Sequence, residues 1–127
     1  MVGSHEDGYA VNKARVAELN ARTSRIRQLN DAFRTGHGSG MLAITNGISE
    51  LGPERVTSIL AQVRAFTAFS DDNDPYLEHD FGSIDTDGVR VFWKIDCYDK
   101  QLEYGSPDPA STDVTMRVLT IMLVSEY

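Results

Sequence analysis

Between Asp71 and Asp80 the chain sets Asp71, Asp72, Asp74, Glu78, His79 and Asp80 around Tyr76. Hard oxygen ligands at that density suit Ca²⁺ or Mg²⁺. A histidine flanked by carboxylates suits acid–base work or a metal-dependent hydrolase. The spacing opposes each of these. A Ca²⁺ loop of the EF-hand type needs oxygen ligands at its first, third and fifth positions, glycine at the sixth and glutamate at the twelfth. Counted from Asp72, the fifth, sixth and twelfth positions are Tyr76, Leu77 and Ser83. On a strand beginning at 79, His79 points away from Glu78 and Asp80, so a site would have to recruit Asp96 or Asp99. The expectation is a loop without catalytic residues, metal or cofactor, with His79 and some aspartates bonded to backbone and the rest solvated.

No other residue offers a stronger site. Cys97 is the one cysteine, so no internal disulfide is possible, and its place in the alternation Val91, Trp93, Ile95, Cys97 reads as a small buried apolar side chain. Gly36-His37-Gly38-Ser39-Gly40 follows a helix and precedes a strand, the reverse of a phosphate-cradling loop, and lacks the terminal Gly-Lys-Ser/Thr. It reads as a connector.

The charge points to binding. The net charge is −7, which argues against direct contact with nucleic-acid phosphates. Residues 1–70 carry eight basic and six acidic side chains, whereas residues 71–113 carry twelve acidic and three basic ones. One segment thus holds the excess. The expected partner surface comprises Asp71, Asp72, Asp74, Tyr76, Glu78, Asp80, Asp85, Asp87, Asp99 and Glu103, with tyrosines supplying anchoring area among carboxylates. It would take a protein partner such as a basic nucleic-acid-binding complex. Arg15, Arg22 and Arg25 align on the first helix, as a solvated face or a contact for an acidic partner. No apolar run is long enough to span a bilayer, and the N-terminus lacks the basic and apolar regions of a signal peptide. A cytoplasmic monomer or homodimer with no membrane contact is expected.

The elements that must position these residues form an α+β domain over 11–127, preceded by a flexible segment over 1–10. Leu19, Ile26, Leu29 and Phe33 line one face of a helix over about 12–35, from Asn12 as N-cap to Gly36. A short strand over 41–45 and an Asn46-Gly47 turn lead to a second helix over 53–69, with Pro53 at its first position. Residues 79–96 form a hairpin closed at Thr86-Asp87-Gly88. Ser111 or Thr112 caps a third helix over 112–126, although Val118, Thr120, Ile121 and Val124 also suit a strand. The three helices are expected to pack on a small antiparallel sheet.

The motifs Asn73-Asp74-Pro75-Tyr76, Glu78-His79-Asp80-Phe81-Gly82, Phe92-Trp93-Lys94-Ile95-Asp96, Tyr104-Gly105-Ser106 and Arg117 to Leu123 resemble a bacterial domain-of-unknown-function family. That family occurs mainly in alphaproteobacteria, often on plasmids and other mobile elements. The resemblance runs from about Arg25 to Tyr127. Cys97 stands where an aromatic is expected, and residues 1–24 look like a variable extension. The resemblance implies no mechanism, but small acidic proteins of mobile elements include inhibitors of host defence, of the anti-restriction and anti-CRISPR kinds. A concentrated negative surface would compete for a basic channel and be steered to it. Plasmid maintenance through a single protein partner is the other role the resemblance implies.

Overall fold

The fold comes from a computed structural model that describes residues 10–127 in full and residues 2–9 only as the start of a helix. The flexible segment expected over 1–10 therefore falls almost wholly outside the described residues. Helix α1 (Val2–Arg34) is followed by strand β1 (Met41–Ile44), short helix α2 (Asn46–Ser49), helix α3 (Pro53–Arg64), strands β2 (Phe81–Thr86) and β3 (Val89–Tyr98), and strand β4 (Met116–Leu123). Single 3₁₀ turns, Thr112–Val114 and Val124–Glu126, flank β4.

The α+β class stands, but the sheet is mixed. Its order is β1-β4-β3-β2, with β2–β3 and β3–β4 antiparallel and β1 parallel to β4. The helix expected over 112–126 is instead β4, the strand that joins β1 to the hairpin. Its residues looked helical because both of its faces are apolar. Leu119 and Ile121 enter the core, while Met122 sits opposite Phe92 on the other face. A strand covered on both sides loses the alternation that marks strands in a sequence.

Other boundaries moved for local reasons. Asn46-Gly47 opens α2 rather than a turn, because the Thr45 hydroxyl accepts a hydrogen bond from the Ile48 amide. Helix α3 stops at Arg64, short of 69, and Phe66 and Phe69 turn their rings edge-on to Trp93. The hairpin closes as expected: Asp87 (φ 47°) and Gly88 (φ 77°) supply the two left-handed residues of a tight turn.

The core gathers Ile48, Ile59, Val63, Ile84, Val91, Trp93, Ile95, Leu119 and Ile121 between the helices and one sheet face. Trp93 is fully buried, and a Cβ at Gly82 would run into its indole and into Phe66. On the opposite face Tyr127 leans edge-on against Phe92, with ring centroids 5.4 Å apart. That contact accounts for an aromatic among the polar positions of β3. Among the described residues no helix is long and apolar enough to cross a membrane.

Candidate functional site

Helix α1 lies against the sheet only in its C-terminal half, and polar side chains hold it there. Among its described residues Ile26 is the one buried apolar side chain, with Leu29 and Phe33 partly covered. Beside Ile26 on the same face, Asn30 donates to the Glu78 carbonyl (2.9 Å) and accepts from Arg117 Nε (2.7 Å). Arg27 donates to the Leu77 carbonyl at 2.8 Å. Arg34 donates to the carbonyls of Val63, Arg64 and Phe66 at 2.9–3.2 Å, satisfying acceptors that the end of α3 leaves open. Its guanidinium also lies 5.1 Å from the Trp93 ring centroid and 5.4 Å from that of Phe69.

His79 completes this clasp. Its ring stacks on Phe69, with centroids 3.7 Å apart and planes 2° from parallel. Its Nδ1–H donates to both Asp31 oxygens (2.9 and 3.0 Å), and Nε2 lies 3.5 Å from Asp74 Oδ2. Asp74 is 2% exposed and also accepts the His79 amide at 3.0 Å. Leu77 (φ 60°) and His79 (φ 54°) both take left-handed backbone, a costly conformation for side chains of this size. The surrounding bonds hold it, and it presents the carbonyls of Leu77 and Glu78 to α1. The arrangement commits Nδ1 of the imidazole to Asp31 and sets Nε2 near Asp74. His79 thus turns to α1, away from any joint site with Glu78 and Asp80. The described residues contain no group of three or more His, Cys, Asp or Glu side chains placed to hold a metal ion.

The acidic segment divides. Asp74 is buried in the clasp. Glu78 and Asp80 lie beside it half-buried, and loss of solvent raises both pKa values, with Asp80 raising Glu78 further and Asp74 and Asp96 raising Asp80. Asp71, Asp72 and Glu103 are exposed. Asp99 accepts the Glu103 amide at 3.0 Å and so shapes its own loop. Asp85 pairs with Arg90 (3.3 Å) near the hairpin tip, where Asp87 sits in the turn. Five residue steps separate Asp80 from Asp85, about 17 Å at the usual rise. The ten expected contact residues are thus spread over the loop before β2, the hairpin and the loop after β3, and Asp74 among them is buried. Two tyrosines stand out among these acids: Tyr76 is 77% and Tyr104 72% exposed, with Leu77 (54%) and Leu102 (44%) nearby in the chain.

Cys97 lies across the β3–β4 ladder from Arg117. Burial pushes its thiol pKa up, the wrong direction for a nucleophile at neutral pH. Arg117, 4% exposed, has its own pKa lowered by desolvation. With Leu29, Ala32, His37, Gly38, Ser39 and Thr112 it lines a cavity of about 200 Å³. The glycine-rich connector thus forms one wall of a small hollow.

Sequence reasoning missed Asp31, Asn30, Arg34 and Arg117, the residues on which the clasp depends. A signal existed. Asn30 and Arg34 interrupt the apolar stripe of α1, and a polar residue on a buried face must find a partner.

A family model described as "Protein of unknown function (DUF3768)" matches residues 44–126. The match begins at the last residue of β1 and leaves α1 outside. No curated protein and no solved structure matches the chain.

Proposed function

From the premise that the chain belongs to the DUF3768 family, whose description assigns no activity, we propose that it is a non-enzymatic protein-binding module. Its contact surface is centred on the acidic loops that carry Tyr76 and Tyr104. The observation behind this reading is the exposure of those two tyrosines, 77% and 72%, in loops rich in carboxylates. Large amphipathic side chains left in solvent by a domain that buries its Trp mark contact sites. Exposed Asp71, Asp72 and Glu103 give the surface a negative field that favours a basic partner.

The finer proposal is that this partner is a basic nucleic-acid-binding complex of a host defence system, with the chain acting as an inhibitor carried by a mobile element. The divided carboxylates favour a short tyrosine-anchored contact over imitation of a phosphate backbone. A small hydrolase built on Glu78, His79 and Asp80 gains no support, because the His79 imidazole turns to Asp31 on α1.

The experiment presents the purified chain to restriction enzymes and to RNA-guided nuclease complexes at low and high salt. Binding should weaken as salt rises. A Tyr76→Ala/Tyr104→Ala pair should weaken it by about a hundredfold, as for two anchoring residues of about 1.4 kcal/mol each. Absence of binding at low salt, or binding indifferent to both tyrosines, refutes the proposal.

A further inference from the structure

The clasp holds only half of α1. The helix has 33 residues, about 50 Å at the α-helical rise, and every residue from Ala10 to Arg22 is exposed. The face that meets the domain does not end where the domain ends. Phe33, Asn30, Ile26 and Thr23 lie on it at alternating spacings of three and four, and the same spacing continues to Leu19 and Val16. Ile26 is 3% exposed, whereas Leu19 and Val16 are each 55% exposed. A seam of this period is what a second helix packs against.

The charges beside the seam select its occupant. In heptad terms the flanking positions of the free half are Lys13, Arg15 and Asn20, two cations and no acid, and Arg22 stands at its border with the packed half. The packed half shows what such flanks meet. Arg22 donates to Asp108 (3.2 Å), Arg27 to a carbonyl and Arg34 to three carbonyls and Asp31. A second copy of α1 would bring cations against cations, which disfavours self-pairing. Nucleic acid would gain nothing from the apolar centre, and the net charge of −7 opposes it.

We infer that the free half of α1 is a docking seam for an acidic amphipathic helix of a partner protein. Val16 and Leu19 pack into that helix, while Lys13 and Arg15 pair with carboxylates along its edges. This surface is separate from the tyrosine loops, and either can fail without the other.

The test uses the whole chain and a labelled helical peptide of about three heptads, with leucine along its seam and glutamate on both flanks. A control peptide carries lysine on both flanks. Anisotropy should show the glutamate peptide binding, and binding should fall at least tenfold from about 0.01 M to about 1 M salt, where the screening length shrinks from roughly 30 Å to roughly 3 Å. Leu19→Asp should abolish binding while leaving the thermal melt in place. Arg15→Glu should shift preference toward the lysine peptide. Equal binding of the two peptides, or none of either, overturns the inference. So does a dimer by light scattering that Leu19→Asp dissolves, since the seam would then serve a second copy. Binding of duplex DNA or anionic vesicles that Leu19→Asp leaves intact while the peptide fails to bind also overturns it.

Discussion

The two halves of α1 share one face, one spacing and one basic character, yet one half is locked and the other bare. The difference does not lie in how apolar they are. The locked half buries Ile26 and partly covers Leu29 and Phe33, and the bare half offers Val16 and Leu19. What the locked half has is acceptors: the carbonyls of Leu77, Glu78, Val63, Arg64 and Phe66, and the Asp108 carboxylate. The comparison teaches that the loop from 65 to 80 was shaped to receive this helix. Its left-handed residues, with the contacts of His79 to buried Asp74 and half-buried Asp31, aim oxygen atoms at it.

The sharpest way to break the comparison is to remove the strongest clasp. Arg34→Ala leaves three carbonyls without their donor and strips a guanidinium from between two rings. It should cost about 3 kcal/mol in urea unfolding, within the range for breaking a buried charged contact. A loss below about 1 kcal/mol would mean that apolar packing alone holds the helix. A middle-sized effect concerns Asp80, beside the same clasp. Its folded pKa is raised, chiefly by lost solvent and then by Asp74 and Asp96. The folded state therefore holds a proton that the unfolded chain has released, and stability falls as pH climbs from the ordinary aspartate value through the raised one. Asp80→Asn should be more stable than the parent at neutral pH, the gap closing in acid. Melts at both pH values decide this, and a gap that widens in acid reverses the argument. The smallest effect belongs to the bare half. Leu19→Ala should change stability by less than about 0.5 kcal/mol, and a larger loss in the isolated chain would show that the seam is already occupied.

Much of the fold could be read because single faces carried it. The alternation Val91, Trp93, Ile95 announced a half-buried strand, and Asp87-Gly88 announced its turn. Pro53 marked the start of α3. β4 was hidden because apolar neighbours on both faces erase period two, and the parallel pairing with β1 follows only from where the chain returns. The site was less legible. The density of acids drew attention to residues 71–80, and the expectation that His79 and some aspartates bond locally matches Asp74. The partner of His79, however, is Asp31, far back in the chain on α1. Spacing on a helix also fails to say where a partner ends, so Leu19 looked like core and is exposed.

Strand β1 pairs on one side only, with β4, and the paired residues Ile44 and Ile121 stand far apart in the chain, with α2, α3 and the hairpin between them. Loop closure on that scale delays folding, because entropy is spent before the contact forms. During synthesis Met41–Ile44 must wait, unpaired and apolar, until β4 leaves the ribosome. The hairpin β2–β3 can form first and serve as the template on which β4 and then β1 are laid. A chain halted just before Met116 would thus keep its hairpin and leave β1, whose side chains are exposed even in the folded domain, without a pairing strand.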